Sequence, residues 1–531
     1  MYKFNRWLFI ILFSLSLIFT CCKNNSDINE PATPQNPLDV KNLRIESQDK
    51  SIQLTWVIPE AANIDKIMIE YDNAEKTTVE LEANASLYTF TAGIHGQYYS
   101  FNVYTLNKQG QKSNGITKKA LFTDFSEFDN TIMLINIPDN IEITTKEWLS
   151  KQVTDLADCT LIEKNSENKS LKIDIKGRGN SSWWVPKHSY SIKLDKKENL
   201  FGIANGKHKN YALIANYFDK TLIRNKLAYY VGEQIFDSLS WSQHTKSVNV
   251  FINGTYRGVY LLTERIKIDE NEINVPDVSK TDKLTDVNND GVINCLDGGW
   301  ILEINERLDE TYNWITDNSV SISLKDPDDY EGWENIRDYI NDVESVLYND
   351  SIFTDVDNGW RKYLDESSFI DWLIINEIAK NPDSCWYSSC YMYFNPSDQK
   401  LYMGPVWDFD IGFGNVNYNE SSEYEGFWAK ESGWYVRLFE DSVFVNNVKA
   451  RWTQKKSEID SLFDIIEQYT QAVENDARLN FTVYPILGTY VWANPDGYED
   501  RTTYQSEVDF LTAWLSNRIP WLDQAIGELG V

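Results

Sequence analysis

Two aspartates, Asp408 and Asp410, are separated by one residue and follow an apolar segment. That segment, residues 402–407, predicts a strand that ends at Asp408, and the glycines within residues 412–414 permit a sharp turn after it. Side chains two apart on a strand point to the same face, so both carboxylates can bind one hard cation such as Mg²⁺ or Mn²⁺. The alternative is a solvated acidic strand end. The flanking aromatic residues favour burial, and the pair therefore predicts a divalent metal site.

A polar segment at another predicted strand end is suited to phosphate. Arg178 is followed by small and polar residues that let the backbone approach phosphate oxygens. Lys187 and Lys193 follow on the next predicted strand, and because they are six residues apart we expect them to face the same side. The alternative is an ordinary hairpin with surface lysines. The candidate phosphate-binding residues are therefore Arg178, Asn180, Ser181, Lys187 and Lys193.

Three further polar positions have candidate roles around these two sites. Asp383 lies in a loop between a predicted helix ending at Ala379 and the aspartate pair, so it is the candidate catalytic base, with Asn381 assisting it. The sequence Asn-Pro-Asp is also an ordinary turn. Glu264 and Arg224 are candidates for orienting or binding phosphate, and a structural ion pair is the alternative for both.

Residues 286–297 match the calcium loop of EF-hands and dockerins. Oxygen ligands fall at loop positions 1, 3, 5, 9 and 12, glycine falls at position 6, and position 7 offers its backbone carbonyl. We expect this single loop to hold Ca²⁺ and to staple an insertion, because no second repeat accompanies it. The alternative is an acidic disordered loop. The predicted ligands are Asp286, Asn288, Asp290, Val292, Asn294 and Asp297.

The N-terminal residues predict export. Lys3 and Arg6 precede an apolar run that is too short to span a bilayer, so residues 1–22 are predicted to be a signal peptide. The run ends at Cys21-Cys22 and resembles a bacterial lipobox, which implies lipidation of one of these cysteines. Cleavage without lipidation is the alternative. Residues 23–36 would then be a proline-containing tether that links the membrane to the first domain.

The charge of the chain limits its partners. The formal net charge is -30, from 50 Lys and Arg against 80 Asp and Glu. Such a surface repels phosphate backbones, so nucleic acid is not expected as a partner. It suits divalent cations, or it serves solubility alone. The four cysteines after the lipobox show no CxxC metal pattern, and spacing does not establish whether Cys385 and Cys390 pair.

The elements that position these residues form two predicted domains. Residues 37–123 alternate apolar and polar positions over about seven short strands, which predicts a β-sandwich. Trp56 and the sequence Tyr99-x-Phe101-x-Val103 make this segment similar to fibronectin type III domains. Residues 124–531 predict an α+β domain, with a strand-rich lobe over about 124–320 and a helical lobe over about 321–531. Asn253-Gly254 predicts a tight hairpin turn in the first lobe, and helices are predicted over 333–347, 367–379, 444–477 and 508–529.

Several motifs of this second domain resemble the CotH kinase family, in the family's order. They are residues 178–183, 187–193, 211–216, 219–225, 250–264 and 404–414, within a match of roughly 132–529. The resemblance implies an atypical protein kinase fold and ATP-dependent transfer of phosphate to protein hydroxyls. It also implies that Asp408 and Asp410 are the magnesium aspartates.

Two functions follow as hypotheses. The first is a lipid-anchored kinase that uses ATP and Mg²⁺ to phosphorylate Ser or Thr of an envelope or surface protein, with the outer membrane of a Gram-negative bacterium as the expected location. The second is a calcium-stabilised adhesin or glycan-associated lipoprotein on a kinase-like scaffold. The combination of Asp408, Asp410, Arg178 and Lys187 favours the enzyme. A glycoside hydrolase is less favoured, because no persuasive acid pair is present.

Overall fold

The computed structural model describes residues 36–530, apart from 61–62, 74, 139–140, 154, 203–205 and 288–290. The predicted signal peptide, the candidate lipidation sites Cys21 and Cys22, and almost all of the predicted tether lie outside the described residues. Two predicted calcium ligands, Asn288 and Asp290, also lie outside them. The described part is rich in β-structure and contains four separate sheets.

The first domain is a β-sandwich of seven strands, as predicted. The strands are β1 (Lys41–Gln48), β2 (Ser51–Val57), β3 (Lys66–Asn73), β4 (Glu75–Glu82), β5 (Leu87–Phe90), β6 (Tyr98–Leu106) and β7 (Ile116–Leu121). They form one sheet in the order β1-β2-β5 and another in the order β4-β3-β6-β7. Trp56 and Phe101 are buried between the sheets because they occupy alternate, inward-facing positions. The Tyr99 hydroxyl accepts a hydrogen bond from the Ile94 backbone at 3.0 Å.

The next seven strands close into a barrel. They are β8 (Thr131–Asn136), β9 (Ala157–Ile162), β10 (Lys169–Arg178), β11 (Ser189–Glu198), β12 (His208–Ile214), β13 (Thr245–Ile252) and β14 (Thr255–Glu264). Their order around the barrel is β10-β11-β12-β14-β13-β8-β9. Alternate aliphatic residues such as Ile173, Ile175, Ile192 and Leu194 fill its interior. The predicted hairpin turn is confirmed, since Asn253 and Gly254 have φ values of 47° and 67° between β13 and β14.

A five-stranded sheet and a set of helices complete the chain. The strands are β15 (Trp300–Ile304), β16 (Asn313–Ile315), β17 (Ser321–Asp326), β18 (Cys390–Asn395) and β19 (Lys400–Met403), in the order β16-β17-β15-β18-β19. This sheet therefore takes strands from both sides of residue 320, where the sequence predicted the change between lobes. The helices are α1 (Leu149–Gln152), α2 (Arg224–Tyr230), α3 (Trp333–Leu347), α4 (Glu366–Ala379), α5 (Gly433–Leu438), α6 (Ser442–Asp460), α7 (Leu462–Val483) and α8 (Tyr504–Gly527).

The helix predictions are confirmed for α3, α4 and α8 to within a few residues. The prediction of one helix over 444–477 is wrong, because two helices, α6 and α7, meet at Ser461. The Ser461 hydroxyl donates a hydrogen bond to the Glu458 carbonyl at 2.7 Å, which satisfies a carbonyl of the last turn of α6. Helical periodicity continues across such a break, so the sequence pattern did not show it.

The sandwich and the barrel share a small apolar core. Leu121, Phe128, Phe251 and Tyr256 are buried together where the two domains meet. The Ser47 backbone N–H also donates to the Gly254 carbonyl at 2.8 Å, at the tip of the β13–β14 hairpin. The first domain is thus packed directly against the second.

No helix in the described ranges is long and apolar enough to cross a membrane. The four cysteines there, Cys159, Cys295, Cys385 and Cys390, are free thiols.

Candidate functional site

The large cavity of the second domain lies between the barrel and the five-stranded sheet and has a volume of about 1130 Å³. Its walls come from the end of β10 and the loop after it, from α2, from β15 and the residues after it, and from residues 382–387 and 407–411. Predicted site residues from distant parts of the sequence meet here. They are Arg178, Asn180, Ser181, Asp383, Asp408 and Asp410.

Asp408 and Asp410 form an acidic wall of the cavity. Burial raises the pKa of both carboxyls. The Arg178 guanidinium opposes this rise at Asp408, whereas the Asp408 charge adds to the rise at Asp410. Two close carboxylates in a partly dehydrated site repel each other unless a cation lies between them. The pair therefore favours a bound divalent cation.

The prediction that strand alternation puts the two carboxylates on one face is wrong. The strand predicted over 402–407 ends at Met403, because Pro405 has no N–H with which to continue the ladder. Asp408 has a left-handed backbone with φ of 65°, so the two aspartates do not alternate on a strand. Side-chain amides hold the segment instead. Asn381 Nδ2 donates to the Asp408 carbonyl at 3.2 Å, and Asn415 Nδ2 donates to the Asp410 carbonyl at 2.8 Å.

Asp383 lies on a short 3-10 turn, Pro382–Ser384, and lines the same cavity. Ser388 Oγ donates to Asp383 Oδ2 at 3.1 Å and fixes the carboxylate. Burial, followed by the Asp408 charge, raises the pKa of Asp383 to about 7. A carboxyl with such a pKa can accept a proton near neutral pH. Asn381 caps this turn by accepting from the Asp383 N–H, and since it does not line the cavity its role is to position Asp383 and Asp408.

A basic wall faces these carboxylates. Arg178 is joined there by Lys176, Arg265, Arg307 and Lys325, which the sequence analysis did not identify. Burial and then the Arg265 charge lower the pKa of Lys176, and burial and then the Arg178 charge lower the pKa of Arg265. Burial and a neighbouring positive charge therefore disfavour the charged forms of Lys176 and Arg265, whereas Lys325 is paired with Glu303 and Glu310 of the same lining.

Arg178 is the best placed of these cations to bind an anion. Its guanidinium lies 4.9 Å from the Trp407 ring centroid, which orients it without neutralising it. Its Nη1 has no hydrogen-bond partner among the described residues. A buried guanidinium N–H of this kind is suited to a phosphate oxygen.

The loop after Arg178 requires a glycine. Gly179 has φ of 91°, and a Cβ at this position would lie 1.9 Å from Ser182 Oγ. The backbone can therefore turn tightly here and present Asn180 and Ser181, both exposed, to the cavity. This agrees with the prediction that small residues shape the loop for a close ligand.

Lys187 and Lys193 do not join this site. Strand β11 begins at Ser189, two residues after Lys187, so the expectation that both lysines face one side is wrong. Lys187 is fully buried, with Nζ donating to the Val259 carbonyl and, at 2.8 Å, to Asn480 Oδ1. Lys193 is exposed on β11 and is not part of the cavity lining.

Arg224 and Glu264 also lie away from the cavity. Arg224 is buried and makes an ion pair with Asp219, with Nη1 2.6 Å from Oδ1. The sequence analysis gave such a structural ion pair as the alternative role of Arg224. Glu264 is buried beside His208 and His244. Neither is in the lining of the large cavity, so the described geometry gives neither one a direct phosphate contact.

Two residues of α2 that the sequence analysis did not identify also contribute to the site. Asn225 Oδ1 accepts a hydrogen bond from the Phe409 N–H at 2.7 Å, between the two aspartates. The Tyr229 ring stacks on Trp407, with ring centroids 5.9 Å apart. Asn225 belongs to the motif of residues 219–225. The sequence signal that could have identified it was a polar residue on an otherwise apolar helical face.

The cavity brings together carboxylate ligands for a metal, a carboxyl that can accept a proton, and the cations Lys176, Arg178 and Arg265. A divalent cation suits the carboxylates, and phosphate oxygens suit the guanidinium and ammonium groups. Both kinds of group would be needed to bind a nucleoside triphosphate with its metal ion and to position its γ-phosphate for transfer.

No curated protein matches the chain. A solved fn3 domain of human collagen alpha-1(XX) chain is 16% identical over 18% of this chain and 92% of its own, with a TM-score of 0.16. The third fibronectin III domain of human KIAA0343 protein is 12% identical over 19% and 94%, also with a TM-score of 0.16. A beta-1,2-glucanase from Parabacteroides distasonis is 17% identical over 18% of this chain and 14% of its own, with a TM-score of 0.16.

A family model described as CotH kinase protein matches residues 175–522. The match includes the loop at Arg178, helix α2, Asp383 and both aspartates of the acidic wall. It extends over more than half of the 531 residues, and the chain therefore belongs to the CotH kinase protein family.

Proposed function

We propose that this protein is an ATP-dependent phosphotransferase that phosphorylates Ser or Thr hydroxyls of a protein. One observation carries the proposal: a single cavity is lined by three aspartates and by the cations Lys176, Arg178 and Arg265, while its Lys325 is already paired with Glu303 and Glu310. Family membership suggests a kinase-like function with use of ATP and a divalent metal. The chain has a formal net charge of -30, so clustered cations are not what its overall composition favours. Their presence in this cavity therefore supports an anion-binding role.

Each wall has a separate task in this proposal. Asp408 and Asp410 would hold Mg²⁺ or Mn²⁺, which, when bound, screens the charge of the phosphate oxygens. Arg178, Arg265 and Lys176 would bind those oxygens directly. Asp383 would accept the proton of the acceptor hydroxyl. As this happens, the hydroxyl oxygen bonds to the γ-phosphorus of ATP and the bond from that phosphorus to the leaving ADP breaks.

The proposed setting of the enzyme follows the sequence predictions. The substrate would be an envelope or surface protein, and the chain would be held at the membrane by a lipid on Cys21 or Cys22. The sandwich would be a fibronectin type III domain that carries the catalytic domain, and Ca²⁺ would bind residues 286–297. In that loop Asp286 Oδ2 accepts from the Gly291 N–H at 2.7 Å, and Asp297 accepts from Val287 and Asn294.

Calorimetry with ATP and Mg²⁺ tests the central claim on the full chain. We expect binding that Asp410→Asn weakens at least tenfold, because one of two metal carboxylates loses its charge. Asp357→Asn, an exposed aspartate in another loop, is the control and should bind as wild type does. Absence of ATP binding by folded wild-type protein would reject the kinase and favour the adhesin or glycan-associated lipoprotein.

A further inference from the structure

A second cluster of possible metal ligands lies outside the large cavity. It consists of His208, His244 and Glu264, each of which offers one ligand atom within 4.8 Å of the others. His208 starts β12, His244 precedes β13 by one residue, and Glu264 ends β14. These three strands are neighbours in the barrel, in the order β12-β14-β13, so the fold itself brings the three side chains to one end of the barrel.

The distances in this cluster suit a small cation. His208 Nε2 lies 3.4 Å and His244 Nδ1 lies 2.9 Å from Glu264 Oε1. Ligands of tetrahedral Zn²⁺, at bond lengths of about 2.0–2.1 Å, are separated from one another by about 3.4 Å. The 3.4 Å separation matches this value, and the 2.9 Å separation, which is a hydrogen-bond distance, would lengthen by about 0.5 Å on metal binding.

Two atoms of the cluster lack the partners that burial requires. The side chains of His208 and Glu264 are fully buried. Nevertheless, His208 Nε2 and Glu264 Oε2 have no hydrogen-bond partner among the described residues. Buried polar atoms of this kind normally bond to protein, to water or to an ion. Both atoms belong to residues of this cluster, so one ion bound there can satisfy both.

The charge of the cluster also requires a cation. Glu264 and Glu272 are both buried, and in the described part of the chain neither forms an ion pair with Lys or Arg. Histidine is their only partner. Two buried carboxylates without a compensating cation are costly, and a divalent ion would neutralise both.

A supporting contact completes the site. His208 Nδ1 lies 3.0 Å from Glu272 Oε1. If His208 donates its Nδ1 proton to Glu272, the Nε2 lone pair faces Glu264. A carboxylate that receives the distal N–H of a histidine is the usual support for a metal-binding imidazole. On the accessible side, Glu233 lies 3.4 Å from His244 Nε2 and is partly exposed.

We propose that His208 Nε2, His244 Nδ1 and the Glu264 carboxylate bind Zn²⁺, with Glu272 orienting His208. Two imidazoles and one carboxylate form a common donor set for this ion. The fourth position would be taken by water, and Glu233 would accept the Nε2 proton of His244. The bound ion would join the ends of three neighbouring strands, β12, β13 and β14. The site is independent of phosphate transfer.

The metal content of the purified full chain tests this proposal. We expect about one Zn²⁺ per chain in the wild type and little in His208→Gln or His244→Gln. Glu272→Gln should weaken Zn²⁺ binding by about 10–100-fold, as is usual for a supporting carboxylate. His188→Gln removes a histidine outside the cluster and should retain the ion, as should Asp408→Asn in the large cavity.

Titration of metal-free wild-type protein with Co²⁺ gives a second measurement that needs no variant. Strong visible absorption bands of four-coordinate Co²⁺, displaced by Zn²⁺, would support the site. If the wild type binds neither ion, the proposal is rejected, and His208 instead lies between Glu264 and Glu272 without a metal. Zn²⁺ retained in both histidine variants would reject it equally.

Discussion

Asn225 accepts a hydrogen bond from the Phe409 backbone at 2.7 Å, and so helix α2 holds the residue between Asp408 and Asp410. Asn225 Nδ2 in turn donates to Asn216 Oδ1 at 3.0 Å, at the end of β12. A chain of two amides therefore connects the barrel to the acidic wall. Since both aspartates sit on irregular backbone, their geometry depends on such contacts more than on a strand ladder.

Asp383 is expected to act in catalysis and not in nucleotide binding. Replacement by Asn keeps the size of the side chain and its hydrogen bond from Ser388 but removes the proton acceptor. We expect kcat to fall by about 10²–10⁴-fold, with ATP affinity within a few-fold of wild type. Steady-state kinetics and calorimetry measure the two effects separately. Asp357→Asn is the control, and a large loss of ATP binding with little change in kcat would contradict the assignment.

Lys187 is expected to stabilise the fold and to leave ATP binding unaffected. Lys187→Ala removes a fully buried stem and the hydrogen bonds to Val259 and Asn480. We expect the free energy of unfolding to fall by about 2–4 kcal/mol. Lys193→Ala, at an exposed position, should change it by less than about 0.5 kcal/mol. Denaturant titration measures both. If Lys187→Ala leaves the stability unchanged and weakens ATP affinity tenfold, Lys187 binds phosphate as the sequence predicted.

Lys226 on α2 should make stability depend on pH. Burial lowers its pKa from 10.5 to about 8. Between these values the unfolded chain holds a proton that the folded chain lacks, so stability rises as pH increases from 8 to 10.5. One pKa unit corresponds to about 1.4 kcal/mol, so the gain is at most about 3 kcal/mol.

The measurement compares wild type with Lys226→Met by denaturant unfolding across this range. The variant should be the more stable at the lower pH, and the difference should shrink as pH rises. Lys193→Met is the matched control and should follow the wild type. A difference between Lys226→Met and wild type that stays constant with pH would show that Lys226 titrates normally.

Calcium is expected to stabilise residues 286–297. Asp286→Asn retains an oxygen that accepts from the Gly291 N–H but loses the ligand charge. We expect Ca²⁺ affinity to fall by about tenfold or more, because ligand charge sets affinity in such loops. Melting temperature and protease cleavage near this loop, with and without a chelator, report binding. If calcium changes neither in the wild type, the loop does not bind it.

The sequence predicted much of the local structure because local patterns determine it. Alternation identified the sandwich strands, and Asn253-Gly254 identified the hairpin, since both signals depend on neighbouring residues. The aspartate pair and Asp383 were found because spacing and loop position are visible in one dimension. Lys187 was misassigned because its burial depends on Val259 and Asn480, which are distant in sequence. Arg265 was missed for the same reason, since the barrel brings the end of β14 near the end of β10, whereas Lys176 lies two residues before Arg178 on β10 and could have been found from spacing.

The closed barrel limits how an acceptor protein can be recognised. In a closed barrel every strand is paired on both sides, so a peptide cannot bind there by adding a strand to a free edge. If the acceptor is a protein, as proposed, the barrel side of the cavity offers it side chains and no free strand edge. Trp184, next to the Arg178 loop, is 89% exposed and offers a large flat surface there. Recognition at this face would read side chains of the acceptor rather than its backbone.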